Sequence, residues 1–191
     1  MAKRILYLIR HGQYAPLDDP NGTLTEMGRE QARFTAKRFQ DCPISTIYFS
    51  TMPRAQETAV IIANQFPNAK QIASPLLREC FPSVPESFKE YFAQFPTAEI
   101  KAGRVQAHKA FQSYFNPIED GDEEHHEMIV AHGNLISYFI CQTLQAPVDS
   151  WISTDIFHCG VSQIIIFANG WRKLIRHNDN SHLLPQLQTE N

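Results

Sequence analysis

The stretch YLIRHGQY (residues 7–14) decides the fold. The run KRILYLIR (residues 3–10) is short, apolar and rich in Ile, Leu and Tyr, which reads as a buried strand. It ends on Arg10, His11 and Gly12. Charged groups at the tip of a buried strand are expensive unless something there requires them. A second run, MIVAHG (residues 128–133), has the same form: an apolar strand, then His132 and Gly133. In open α/β sheets, ligands bind beyond the carboxyl ends of the strands. If the two strands are neighbours, His11 and His132 meet at one edge. The two glycines are then expected to let the backbone approach a ligand closely.

Between and around these strands, helical and strand patterns alternate. Thr25 is a candidate cap for a helix over residues 25–40, where Ala32, Thr35, Ala36 and Phe39 recur at helical spacing. STIYFS (45–50) is a strand. TMPRAQETAVIIANQF (51–66) is a helix capped by Thr51, with Pro53 in its first turn. KQIASPLL (70–77) supplies a short third strand, and NLISYFICQTL (134–144) a helix. VSQIIIFANGWRKLIRH (161–177) is a hairpin around Asn169–Gly170. Strands alternating with helices predict an α/β protein: a three-layer α/β/α domain with a mostly parallel central sheet, helices on both faces and a small helical lid. Residues 1–191 are expected to form one domain, with residues 80–126 as the lid insertion. Two helices are expected there, from ESFKEYFAQF (86–95) and AEIKAGRVQAHKAFQSYF (98–115).

FSTMPRAQET (residues 49–58) adds a cation to the strand ends. Arg54 lies in the first turn of a helix, where the helix dipole favours acids. It is better accounted for if it points over the strand ends at an anion. Its alternative partner is Glu57, one turn along the same helix. Arg10, Arg54, His11 and His132 together suit one dianionic group, because the guanidinium fork donates bidentate hydrogen bonds to phosphate. Asn134 opens a helix whose first amides face the same place. A neutral imidazole can attack phosphorus and form a phosphohistidine. The leaving oxygen then needs a proton, and later a water needs a base; one carboxyl with a raised pKa does both. Glu79, after the third strand, is the candidate, with Glu86 and Glu57 as rivals. The chemistry requires no metal.

The composition limits the partners. The 191 residues carry a net charge of −3 and are 43% hydrophobic and 19% charged. That gives no bulk attraction to nucleic acid or to an anionic membrane. No apolar run reaches the roughly 18 residues of a membrane span. The N-terminus has no signal-peptide pattern. The four cysteines are scattered without a CxxC pair, which predicts reduced thiols and a cytoplasmic setting.

LIRHGQ, LTEMGREQA, STMPRAQETA, LLREC and IVAHGNLI occur in this order over nearly the whole chain. Together they resemble the histidine phosphatase, or phosphoglycerate-mutase-like, superfamily. Within it, SPLLRE and HGNLISYFICQTLQAP look most like a group of protein serine/threonine phosphatases, mitochondrial with bacterial relatives. The resemblance implies that His11 is the phosphorylated nucleophile and Glu79 the proton donor. Arg10, Arg54 and His132 would complete the phosphate pocket, with Gly12, Gln13, Gly133 and Asn134 as substrate contacts. It implies a cofactor-independent phosphomonoester hydrolase acting on phosphoprotein. The alternatives are a small-metabolite phosphatase or a phosphoglycerate mutase and, in a different class, a catalytically weak phospho-ligand binding module. The interval between Glu79 and His132 is short, which disfavours the mutase. The partners implied are a phosphorylated substrate and, as an open option, a second copy of the chain.

Several residues are left with plainer expectations. His125–His126 reads as a solvated face. His158, just before the last hairpin, reads as a core or surface histidine, with a strand-end place near the pocket as the alternative; His182 reads as part of a tail folded along the domain, with an approach to the site as the alternative. Phe81, Phe88, Tyr91, Phe92 and Phe95 read as lid core. Tyr14 is either a packed loop residue or the first contact outside the pocket.

Overall fold

The computed structural model describes residues 3–15, 22–118 and 124–190. Most of the acidic segment 119–124 therefore lies outside the described residues. Six strands form one mixed sheet in the order β3-β2-β4-β1-β5-β6. β1 (Lys3–Arg10) is central, parallel to β4 (His125–Ala131) on one side and antiparallel to β5 (Val161–Phe167) on the other. β2 (Ile44–Ser50) pairs in parallel with β4 and with the edge strand β3 (Lys70–Ser74). β6 (Arg172–Asp179) closes the other edge. The expected adjacency holds: Arg10 is in register with Ala131, so His11 and His132 leave the sheet side by side.

Alternation along β1 and β4 divides the core. Leu6, Leu8, Ile129 and Ala131 face one layer, with α4 (Thr97–Tyr114) and α5 (Gly133–Leu144). Ile5, Tyr7, Ile9, Met128 and Val130 face the other, with α1 (Glu26–Arg38) and α2 (Pro53–Ala63). A strand covered on both faces reads as a continuous apolar run, which is why β1 showed no polar alternation.

Local chemistry sets the boundaries. The Thr25 side chain caps α1 by accepting from Gly28 N–H, as expected. The cap of α2 is Met52 rather than Thr51, because Pro53 occupies the first turn and Met52 holds the extended backbone that precedes a proline. The first lid helix shrinks to one turn, α3 (Lys89–Phe92), ended before Pro96. Phe92 and the α4 face of Ala107, Ala110 and Tyr114 join the main core against α5. Strand pairing continues through His177 to Asp179, so the first part of the expected tail is sheet edge. His126 is half-buried with its Nδ1 against Tyr7 Oη at 3.1 Å; only His125 has the solvated face expected of the pair.

Candidate active site

The carboxyl ends of β1, β2 and β4 and the start of α2 converge on His11, which is buried. Its backbone amide donates to Ala131 O at 3.0 Å, which extends the β1–β4 ladder by one residue. Its Nδ1 lies 2.8 Å from Gly12 O. A carbonyl only accepts, so Nδ1 carries the proton and Nε2 presents its lone pair. Arg54 Nε donates to that Nε2 at 3.0 Å. Burial first, and then the charges of His132 and Arg54, push the His11 pKa well below the ordinary histidine value. The imidazole is therefore neutral and aimed at a guanidinium.

The His132 ring centroid lies 5.0 Å from that of His11. Its Nε2 is 2.8 Å from Ser50 Oγ, and its buried Nδ1 has no hydrogen-bond partner among the described residues. Ser50 Oγ accepts from Met52 N–H at 3.2 Å, and its own proton is free to be given to His132 Nε2. His132 Nδ1 is then a buried donor. Burial and the nearby arginines keep this ring neutral too.

Both arginines are buried. Arg10 Nη1 donates to Ile156 O and approaches Asp155 at 4.0 Å. Arg54 lies over the Tyr14 ring, with 4.4 Å from its guanidinium carbon to the ring centroid, and Tyr14 meets His11 edge-on at 5.3 Å. Tyr14 is thus a wall of the site. Glu57 takes Arg29 at 3.2 Å, so the helical pairing with Arg54 does not form. Glu86 is exposed and paired with Lys89, away from the strand ends.

Glu79 stands at the mouth of this group. Its Oε1 accepts from Cys80 N–H at 3.1 Å and its Oε2 from Asn134 N–H at 3.4 Å. Burial raises its carboxyl pKa, against the pull of those two amides and of Arg10 and Arg54. Asn134 is at the start of α5, so its amide is one of the unpaired donors of a helix N-terminus.

The two glycines differ. A Cβ on Gly12 would fall 2.5 Å from Gly28 O, and the Gly12 amide already donates to Thr58 Oγ1 at 3.0 Å. The clearance expected for a ligand is clearance for α1. A Cβ on Gly133 would meet only Arg10, at 3.8 Å and beyond. Gln13 is tied inward: its amide donates to Gln31 Oε1 at 2.7 Å and its Oε1 accepts from Thr25 Oγ1 at 2.8 Å.

One of two further residues, His158, stood only as a lesser option in the sequence, and the other, Arg78, was missed. His158 is buried with its ring centroid 5.6 Å from that of His11, in the turn before β5. A histidine just before a strand that pairs with β1 was the available signal. Arg78 reaches Thr51 Oγ1 at 3.3 Å, and its charge bears on both Arg54 and His132. Its place directly before Glu79 was the signal for it. His182 instead bonds Thr35 and Arg38, over α1. Among the described residues no group of three or more His, Cys, Asp or Glu is placed to hold a metal. No helix among them is long and apolar enough to cross a membrane.

Comparison with known proteins agrees with this geometry. The family model described as "Histidine phosphatase superfamily (branch 1)" matches residues 6–180. The chain is 38% identical over 190 residues to the mitochondrial serine/threonine-protein phosphatase Pgam5 of Drosophila willistoni, covering 95% of this chain and 64% of the relative. It is 35% identical to the Drosophila yakuba protein of the same name, covering 97% and 66%. The chain thus spans about two thirds of the length of these relatives. Among solved structures, phosphoglycerate mutase from Plasmodium falciparum superposes with a TM-score of 0.68 at 29% identity, covering 97% of this chain and 96% of that one. The expected cytoplasmic address is overturned, because the relatives are named as mitochondrial proteins. With two histidines and two arginines gathered at the ends of parallel strands and a family match over most of its length, the chain belongs to the histidine phosphatase superfamily.

Proposed function

We propose that the protein is a phosphomonoester hydrolase that acts on phosphoserine or phosphothreonine in proteins through a phosphohistidine at His11. The observation that carries this reading is the His11 tautomer. Nδ1–H is engaged by Gly12 O, and the Nε2 lone pair faces the Arg54 guanidinium. Arg54 N–H sits on the lone pair that would attack phosphorus, and on substrate binding its N–H groups turn from nitrogen to the phosphoryl oxygens. Arg10, the His132 Nδ1–H and the first amides of α5 hold the remaining oxygens.

His11 Nε2 attacks phosphorus while the ester P–O bond breaks, and the leaving oxygen takes the proton of Glu79. Water then attacks the phosphorus of phospho-His11, the Glu79 carboxylate takes its proton, the P–N bond breaks and inorganic phosphate departs. A raised carboxyl pKa suits Glu79 to start this cycle protonated. The protein's own residues complete this cycle without a cofactor.

Protein as the substrate class rests on the relatives' names and on the surroundings of Glu79. Asn134 also lines a recess of about 310 Å³ walled by Phe81, Phe88, Tyr91 and Trp151, with no charged side chain in its lining. It lies on the leaving-group side and suits an apolar neighbour of the phosphorylated residue. The lid is read in this sense over residues 80–114, since His125 and His126 belong to β4: 80–96 form the wall and α4 anchors it to the core. The relatives' names support a mitochondrial setting.

A substrate panel with a Glu79→Gln variant tests the reading. Phosphoserine and phosphothreonine peptides are expected to turn over faster than phosphoglycerates. The variant is expected to lose about 10²–10⁴-fold on phosphoserine, a poor leaving group, and far less on p-nitrophenyl phosphate. Equal losses on both substrates would remove Glu79 as the acid. Mutase turnover exceeding hydrolysis would select the alternative.

A further inference from the structure

His158 has no part in the cycle above, yet the chain is built to hold it beside His11. It sits in a tight turn in which Gly160 N–H donates to Phe157 O at 2.8 Å. The next residue, Cys159, adopts the left-handed region at φ 56°, which is uncommon for a residue with a side chain. The Cys159 amide is 3.1 Å from Arg10 O and 3.3 Å from His11 O, so this turn is pinned to the backbone of the nucleophile itself. Unusual backbone conformations of this kind concentrate at functional sites.

A chain of hydrogen bonds runs from Gln13 to the His158 ring. Gln31 Oε1 accepts from Gln13 N–H, which orients its amide group. Gln31 Nε2 then donates to Leu187 O at 2.7 Å and to Thr189 Oγ1 at 2.8 Å. The Thr189 hydroxyl accepts there and keeps its own proton free to donate to His158 Nδ1, 3.0 Å away. The His158 amide donates to Thr189 O at 2.9 Å, which locks the segment in place. With that donation Nδ1 accepts and Nε2 bears the hydrogen. Nε2 is buried and has no hydrogen-bond partner among the described residues. Burial, with the charges of Arg10 and Arg54, pushes the ring pKa down to about 3, so it stays neutral.

We propose that the His158 Nε2–H is a further phosphate-binding donor, which bonds an oxygen of the phosphoryl group on His11, and that Gln31 and Thr189 set its tautomer from the C-terminal segment. This rests on the phosphohistidine reading and adds to it a ligand from outside the strand-end motifs. The ligand class is a phosphoryl or other tetrahedral oxyanion. A neutral donor holds that oxyanion without a third full positive charge, which favours release of the product phosphate.

The test uses inorganic phosphate as the probe. His158→Ala is expected to weaken inhibition by inorganic phosphate at least about tenfold, since a hydrogen bond to a charged group is lost. His158→Gln, which restores an N–H, is expected to stay within about threefold of the wild type. Thr189→Val is expected to give a smaller loss with an unchanged melting temperature. Nitrogen NMR of the wild type is expected to show the Nε2–H tautomer at His158 and a shift of that signal with phosphate. An active His158→Ala enzyme with unchanged phosphate inhibition would overturn the proposal, as would an Nδ1–H tautomer or a signal that phosphate leaves in place. If His158→Ala does not fold, the wild-type NMR and Thr189→Val still decide. Failure of the underlying reading shows separately, as wild-type turnover in His11→Ala.

Discussion

The ends of β1 and β4 look like copies of one motif and are built for different work. Each strand delivers a histidine and a glycine to the same edge, and the two rings lie 5.0 Å apart. At the β1 end the glycine is pressed against α1, its amide is engaged by Thr58, and the histidine shows a lone pair to Arg54. At the β4 end the glycine opens a helix with room beside it, and the histidine shows a buried N–H. In the proposed cycle one end attacks and the other binds. Neighbouring strands give proximity, but the second contact of each ring sets its role: Gly12 O for His11, Ser50 Oγ for His132.

Substituting each histidine breaks the comparison most sharply. His11→Ala is expected to lower kcat more than about 10⁴-fold, because the group that forms the covalent bond is gone. His132→Ala is expected to cost about 10²–10³-fold, the loss of one preorganised donor. Steady-state kinetics on a phosphoserine peptide measures both, and equal losses would erase the division of labour. The glycines come next. Gly12→Ala is expected to destabilise the fold by about 3 kcal/mol, since backbone of α1 must move. Gly133→Ala is expected to change stability by less than about 0.5 kcal/mol, a surface-like effect at a helix start. Thermal unfolding of the two variants checks this.

The smallest contrast is with acid. His11 and His132 both have depressed pKa values in the fold, so the unfolded chain binds protons that the folded one does not. Stability is complete above the unfolded pKa of about 6.5 and falls as pH drops below it. Glu79, whose pKa is raised, works the other way: its contribution is present below the unfolded carboxyl pKa and is lost as pH rises through the folded one. Melting temperatures are expected to fall from pH 7 to pH 5 and to fall less in His132→Gln.

Much of this was legible before any coordinates. β1 and β4 declared themselves by apolar runs that stop at a histidine, and parallel pairing follows from the helices between them. Arg54 stood out because it opposes the dipole of its own helix. Glu79 followed from its place after a strand. The rest depended on chain that is distant in sequence. His158 is held by Thr189 and the β1 backbone, and neither contact leaves a local pattern. Gly12 looked like a ligand glycine because only the packing of α1 shows what it avoids. The lid was drawn as separate helices because periodicity does not tell a free amphipathic face from one that packs on α5, as α4 does.

The central claim is that phosphate passes through His11, and it is tested most directly by trapping the intermediate. The enzyme is mixed with a radiolabelled phosphoserine peptide, quenched in alkaline denaturant and mapped. The account predicts an acid-labile, alkali-stable label on the peptide that contains His11, absent from His11→Ala. Stoichiometric label on His132 or on a serine, with His11 unmodified, would contradict it.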